Sequence, residues 1–307
     1  MTSPHRITAG IAVALAAILT APLAARQAQQ TYEPRVGMAG KDVVWVPTPL
    51  EVVEKMLDMA KVTPKDFVVD LGSGDGRNVI AAARRGARAL GVEYNADMVE
   101  LSRKLAKEAG VADKATFVRG DMYEAEFSEA TVLALFLLPS NLERLKDKIL
   151  ALKPGTRVVL NTFTVDGWEP DETERVGGDC ASWCQVLLHV VPARVAGTWR
   201  GSGLELALDQ EFQKVSGAMV STGASVKIDG AVLRGDELTF AAAGATYAGR
   251  VEGDRITGTM TLVASGERRE WRVTRQRDPR VASAQRPTSR TSARSATASM
   301  SLAGAVK

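Results

Sequence analysis

The stretch Val68-Val69-Asp70-Leu71-Gly72-Ser73-Gly74-Asp75-Gly76-Arg77 decides the fold. It starts as an apolar strand carrying an acid near its end, then turns over three closely spaced glycines. It runs at once into an Ala-rich helical stretch from Asn78 to Arg85. Glycine admits positive φ and lets a backbone approach a ligand closely, and a helix N-terminus behind it favours polar or anionic groups. A strand, a glycine loop and a helix in that order point to a nucleotide-type cofactor site in an α/β fold.

The flanking sequence continues the alternation. Strand-like runs fall at 67–71, 87–93, 115–119, 131–137, 156–163 and 185–191, and helical patterns at 76–85, 96–109 and 141–152. Thr48-Pro49-Leu50-Glu51 reads as a capping box opening a helix through Ala60, and Ser140 with Glu143 repeats that spacing. Tyr94 and Asn95 cap or start the helix that follows them. Residues 45–192 are therefore expected to form a Rossmann-like, mostly parallel sheet with helices on both faces. Residues 26–44 read as an extended lead-in.

The pattern changes after Pro192. Short alternating runs such as Leu204, Leu206 and Leu208 recur between turn signals at Gly201-Ser202-Gly203, Asp229-Gly230, Gly235-Asp236 and Gly253-Asp254. Residues 195–275 are expected to be a small all-β meander, a barrel or a sandwich, with Trp199 and Trp271 near its ends. From 278 to 307 the chain is Ser, Thr, Ala and Arg with little apolar bulk, the composition of a disordered tail.

Charge and cysteine content narrow the function class. The 307 residues carry a formal net charge of +3, but residues 275–307 hold +6, and Arg6 and Arg26 add two more. Residues 30–274 are left at −5, so a nucleic-acid-binding body is disfavoured. The basic tail from Arg280 suits anionic lipid, nucleic acid or plain solvation, the last fitting a disordered end best. At the other end, Arg6, the apolar run Ile7–Ala21 and Leu23-Ala24-Ala25 have the layout of a secretory signal peptide, residues 1–25. An uncleaved anchor or a buried helix has the same composition. Export makes the protein periplasmic or secreted. Cys180 and Cys184 are close enough in sequence for one short-loop disulfide in an oxidising compartment, or are free thiols, and helical spacing would put them on one face. With His189 as the nearby histidine they make a poor metal site, and none is expected.

The cofactor follows from what surrounds the glycines. A dinucleotide fingerprint needs a third small residue where Arg77 stands, which argues against NAD. Asp70, just ahead of the loop, suits a ligand bearing an ammonium group. Glu93 closes the next strand, where a carboxylate accepts from ribose hydroxyls, and Asp121 closes the third, within reach of an exocyclic adenine amine. Together, Asp70-Leu71-Gly72-Ser73-Gly74-Asp75-Gly76, Glu93 and Gly120-Asp121 resemble the first three cofactor motifs of class I S-adenosylmethionine-dependent methyltransferases. The resemblance implies that Asp70, Gly72, Ser73 and Gly74 flank the methionine part of S-adenosyl-L-methionine, that Glu93 holds the ribose, and that Asp121 and Met122 contact adenine. Trp45-Val46-Pro47-Thr48-Pro49 ahead of the loop is similar to the branch containing the mitochondrial methyltransferases of the ATP-synthase c subunit and the adenine nucleotide translocase. Thr48 serves there either the ligand or its own helix. Nothing in that branch resembles residues 195–275.

Methyl transfer from a sulfonium asks for a positioned nucleophile and exclusion of water rather than an acid–base set, and no catalytic residue is assigned. The acceptor is expected beside Phe136-Leu137-Leu138-Pro139, which is apolar and lacks an Asn-Pro-Pro-Tyr motif, against a planar amide or base amine. A protein lysine, or a small molecule with another amine, fits better. His5 and His189 are too few for triad or zinc-hydrolase chemistry. The alternative is an exported, non-catalytic binding protein that keeps the pocket and binds through its β domain.

Overall fold

Alternating apolar positions on the central strands bury both faces of one sheet. A computed structural model describes residues 32–276 except 179 and 222. The expected signal peptide and basic tail lie outside the described residues. Contacts divide the chain at Glu33/Pro34, and every element below belongs to the second unit. In chain order these are α1 (Leu50–Met59), β1 (Phe67–Leu71), α2 (Arg77–Arg84), β2 (Arg88–Glu93), α3 (Ala96–Glu108), β3 (Ala115–Arg119), β4 (Val132–Leu135), α4 (Pro139–Leu150), β5 (Arg157–Asn161), β6 (Glu172–Arg175) and β7 (Gln185–Val190).

The seven-stranded sheet runs β3-β2-β1-β4-β5-β7-β6. Its first five strands are parallel; β7 lies antiparallel to β5, and β6 antiparallel to β7. Val68, Val132, Ala134, Val159 and Val186 pack with the apolar sides of α1, α2 and α3. Their neighbours Val69, Leu133, Leu135, Leu160 and Leu187 pack with Leu142, Leu145 and Ile149 of α4. The period of two along each strand thus supplies both faces, as the expected doubly covered sheet requires.

Three local expectations are corrected. The first capping box does not form: Pro49, not Thr48, is the residue before α1, and no side chain caps it. Proline holds the extended φ of −54° and ψ of 141° there, starting the helix one residue late. Nor does the second, because Pro139 takes the first helical position and draws Ser140 inside the first turn. Asn95, by contrast, caps α3 through its side chain, which accepts from the Asp97 and Met98 amides. Residues 37–45 are not merely extended. Gly37 donates to the Trp45 carbonyl, Trp45 to that of Met38, and Gly40 to that of Val43, each at 2.9 Å, closing a small hairpin.

The remaining strands are β8 (Gly197–Gly201), β9 (Leu204–Glu211), β10 (Lys214–Ser221), β11 (Ala224–Lys227), β12 (Asp229–Arg234), β13 (Glu237–Ala242), β14 (Ala245–Glu252), β15 (Arg255–Leu262) and β16 (Arg268–Arg275). They form a nine-stranded antiparallel sheet in which β16 returns to pair with β8, Thr274 opposite Arg200. One seam remains, between β11 and β12 at the two ends of the strand order; the Ile228 amide extends the β10–β11 ladder to the Gly217 carbonyl at 3.1 Å. The meander is a nearly closed barrel. Its core holds Trp199, Leu206, Leu238, Phe240, Tyr247 and Trp271, with Phe240 stacked on Tyr247 at 4.7 Å and Trp271 edge-on to Tyr247 at 5.5 Å.

The barrel braces the loop between β5 and β6. Trp168 in that loop is buried and stacks on Phe212 of the barrel at 5.8 Å, while its ring lies 4.7 Å from that of His189 on β7. Lys214 pairs with Glu169 at 2.7 Å and Arg234 with Glu172 at 2.6 Å. The Ala193 amide donates to the Gly235 carbonyl at 2.7 Å.

His189 is completely buried in this joint. A carbonyl can only accept, so Nδ1–H donates to the Glu169 carbonyl at 3.2 Å and Nε2 accepts from the Thr164 hydroxyl at 3.0 Å. Burial lowers its pKa from 6.5 to about 4, with the Glu169 carbonyl opposing the shift. Between those values the unfolded chain binds the proton and the folded one does not, so stability falls as pH drops from about 6.5 towards 4. The loss is expected to approach about 3 kcal/mol, because each tenfold change in proton affinity is worth about 1.4 kcal/mol. Denaturant melts across that range should show it, and the His189→Gln protein should lose most of this pH dependence.

Candidate active site

The glycine loop turns because three of its residues adopt a backbone that side chains resist. Gly72, Gly74 and Gly76 have φ of 75°, 53° and 81°. At Gly76, the residue before α2, a Cβ would lie 2.6 Å from the Phe117 ring and 2.9 Å from Ser102 Cβ, so α3 and β3 close directly onto the loop. At Gly74 a Cβ would meet the Trp45 indole nitrogen at 2.5 Å. The loop is therefore pinned between the sheet and the hairpin at 37–45.

Arg77 has a role beyond excluding a dinucleotide fingerprint. Its guanidinium holds both carboxylate oxygens of Asp75, at 2.9 and 2.5 Å, and donates to the Thr48 carbonyl at 2.5 Å. This clasp ties the loop to the Trp45–Pro49 segment. A bidentate Arg–carboxylate pair fixes geometry as well as charge.

Beyond the loop lies a cavity of about 270 Å³ at the carboxyl edge of the parallel strands. Of the residues expected to hold the cofactor, Gly72, Glu93, Asp121 and Met122 line it. Glu93 accepts from the Gly74 amide at 2.9 Å and the Asn95 amide at 2.8 Å, which aims its carboxylate along the loop. Asp121 accepts from the Tyr123 amide at 3.0 Å and from Lys41 at 2.5 Å. The Lys41 hydrogen bond holds Asp121 below the usual carboxylate range, and the same contact raises Lys41.

Asp70, Ser73, Gly74 and Thr48 do not line the cavity. Asp70 is buried beneath the loop and accepts from Asn78 Nδ2 at 3.1 Å. Burial pushes its pKa well up, the Asn78 hydrogen bond pulls the other way, and the negative charges of Glu93 and Asp75 add to the rise. Ser73 turns its hydroxyl towards Gly91, where a Cβ would lie 2.6 Å from it, and that oxygen is buried without a partner. Thr48 is buried and offers its carbonyl to Arg77.

Sequence reasoning placed Phe136, Leu137 and Leu138 at the acceptor end, where they line the cavity, but missed the hairpin on one side and Phe163 and Trp183 on the other. The hairpin Met38–Trp45 covers one side, with Lys41 5.2 Å above the Tyr94 ring. Its glycines Gly37 and Gly40 were the available signal. The other wall is aromatic: Phe136, Phe163 and Trp183 line the end of the cavity next to Leu137 and Leu138. Trp183 rides on a loop closed by a Cys180–Cys184 disulfide, a turn rather than the helix that would put both cysteines on one face.

Residues 70–172 match the ANTKMT methyltransferase domain family. A protein-lysine N-methyltransferase of Saccharolobus islandicus is 44% identical over 137 residues, 44% of this chain and 85% of that protein. That decides the family. The chain belongs to the S-adenosylmethionine-dependent protein-lysine methyltransferases. The mouse adenine nucleotide translocase lysine N-methyltransferase is 36% identical over 46% of this chain and 67% of its own length. The mouse lysine N-methyltransferase of the ATP-synthase c subunit is 37% identical over 44% of this chain and 55% of its own. A solved structure described as an RNA methyltransferase of Salinibacter ruber with S-adenosyl-L-homocysteine shares 47% identity over 49% of this chain and 96% of that one, at a TM-score of 0.46.

The methyltransferase's cofactor is S-adenosyl-L-methionine, and the cavity suits it. Two carboxylates from successive strand ends stand beside apolar surface from Val92, Met122 and Leu137, as a ribose with a flat base requires. Gly76→Ala tests the turn on which this geometry rests. Strain at positive φ and the collision with Phe117 are together expected to cost about 3 kcal/mol in a denaturant melt.

Proposed function

We propose that the protein methylates the side-chain amine of lysine in a protein acceptor outside the cytoplasm. The observation that carries this reading is the two-ended cavity. Its carboxylates Asp42, Glu93 and Asp121 stand at one end, Asp42 and Asp121 both beside Lys41, and its other end, at Phe136, Leu138, Phe163 and Trp183, brings no acid or base. Gly72 and Met122, with Glu93 on the ribose and Asp121 on the base, hold the cofactor. Asp70 lies directly beneath the loop, where its buried carboxylate favours the cofactor's ammonium group. Ser73, Gly74 and Thr48 act from behind, through the loop backbone and the Arg77 clasp.

S-adenosyl-L-methionine supplies an electrophilic methyl group: the acceptor nitrogen's lone pair forms the new C–N bond while the C–S pair returns to sulfur. The nitrogen must first lose its proton to water. The walls at the acceptor end bring no carboxylate that would hold the proton on nitrogen. They also exclude water from the transfer. A lysine acceptor agrees with the Saccharolobus and mouse relatives, which are lysine N-methyltransferases. The acidic globular part, −5 over residues 30–274, argues against a nucleic-acid acceptor.

Export rests on the charged and apolar layout of residues 1–25 and on the Cys180–Cys184 bond, which suits an oxidising compartment. Mass spectrometry of protein from a fractionated cell is expected to give a chain starting at Arg26 outside the cytoplasm. A cytoplasmic chain retaining Met1–Ala25 would sink this part of the reading.

Calorimetry tests the cofactor site. Glu93→Ala is expected to weaken S-adenosylmethionine binding at least about tenfold, the loss of a charge-assisted contact. Because burial raises Asp70, binding of a cation should ionise it, release a proton and tighten as pH rises. The Asp70→Asn protein should show weaker binding with that proton release gone. Transfer to envelope proteins, read by mass spectrometry, is expected on lysine; label found only on other residues would overturn the acceptor.

A further inference from the structure

We propose that Phe136, Phe163 and Trp183 form the subsite that receives the acceptor's cationic side chain, and that the disulfide-closed loop 180–184 is the device that holds Trp183 in it. This rests on the lysine reading above and names the residues that give it specificity.

The three rings come from distant points of the chain, the end of β4, the end of β5 and the loop before β7, yet they meet at the cavity. Phe136 and Phe163 are stacked at 6.1 Å with 11° between their planes. Trp183 leans on both, at 5.8 and 5.4 Å and tilted by 54° and 50°. Trp183 also stays 41% exposed, so an acceptor on another molecule can reach it. A core contact would have buried such a side chain.

Backbone strain sits at the same place. Thr162 has φ 64° although it is β-branched, and Trp183 has φ 60°. Such conformations cost free energy and persist only where the surroundings impose them. At Thr162 the cause is visible: the Phe163 amide donates to the Asn161 carbonyl at 2.7 Å, closing a three-residue turn that takes Phe163 out of the strand direction. The Thr162 amide is held by the Gln185 carbonyl at 2.9 Å, which keeps this turn beside the cysteine loop. Trp183 lies inside the loop that the bond between Cys180 and Cys184 closes, their Cα atoms 5.9 Å apart. A bridge over so few residues removes little entropy from the unfolded chain, so global stability is a weak reason for it. Fixing one exposed tryptophan is a better one.

The chemistry of the wall selects its occupant. Aromatic faces attract a compact cation, most strongly tryptophan's, and no carboxylate of the wall competes. They bind lysine's ammonium on arrival and its methylated products equally well, because methylation keeps the charge. An apolar wall also leaves room for the deprotonation that transfer needs. A carboxylate at this end would have held the proton on nitrogen.

The test uses the full-length protein, poly-L-lysine as acceptor and labelled S-adenosylmethionine. Trp183→Ala is expected to raise KM for poly-L-lysine about tenfold, the cation–π range for a partly desolvated contact. Binding of S-adenosyl-L-homocysteine by calorimetry should stay within about twofold, since in this reading Trp183 touches the acceptor and not the cofactor. Trp183→Phe should restore most of the KM. Tetramethylammonium chloride should inhibit the parent protein competitively against poly-L-lysine, relative to sodium chloride at equal ionic strength, and should lose that effect in Trp183→Ala. Joint replacement of Cys180 and Cys184 by Ala should raise KM in the same direction while the melting temperature changes little. A Trp183→Ala protein with unchanged KM and intact tetramethylammonium inhibition would overturn the subsite and leave lysine methylation standing. A parent protein that binds S-adenosyl-L-homocysteine yet transfers nothing to poly-L-lysine would overturn the acceptor class and the subsite with it.

Discussion

The close approach at Gly74 and Gly76 is the constraint on which the other parts depend. With no side chain there, the β1–α2 turn lies against Phe117 and Ser102 on one side and Trp45 on the other. Ser102 Oγ then donates to the Gly74 carbonyl at 3.0 Å, and Glu93 takes the Gly74 amide. The turn thereby fixes the helix behind it, the carboxylate beside it and the hairpin above it in one step. Any side chain at Gly76 would push α3 away from the loop and open the cavity floor.

Arg77 extends that constraint outward. It stands where another α/β cofactor fold would need a small residue, and its length lets it hold Asp75 and reach the Thr48 carbonyl. The Trp45–Pro49 segment is thereby drawn onto the loop, and the hairpin at 37–45 closes over the cavity through Lys41 and Asp121. Lys41 occupies the carboxylate assigned to the cofactor's base.

The sheet was legible because its signal is local and repeated. Val68-Val69, Leu133-Ala134-Leu135 and Val158-Val159-Leu160 alternate between two helical layers, and each run announces its strand without reference to any other. The carboxylates Glu93 and Asp121 were legible for the same reason, since strand ends in a parallel sheet share one edge. What the sequence withheld depends on distant partners. Glu172–Arg175 is a polar edge strand whose pairing is decided by β7. The hairpin at 37–45 exists against the cavity. Phe136, Phe163 and Trp183 meet only once the fold is complete. Thr48 and Ser140 show the opposite failure, where a valid local pattern is displaced by the neighbouring proline.

The barrel's place in the chemistry follows from where it touches. Phe212, Lys214 and Arg234 all contact the segment 168–172, which leaves β5 just beyond Phe163. Thr164 lies between Phe163 and that segment and is tied to His189 on β7, the strand that the cysteine loop enters at Gln185. The barrel thus stiffens both backbone stretches that present Phe163 and Trp183. An active site that works by positioning and by excluding water, with no acid or base at its acceptor end, gains more from such bracing than from an added functional group. A misplacement of about 1 Å is enough to cost on the order of a hundredfold in rate.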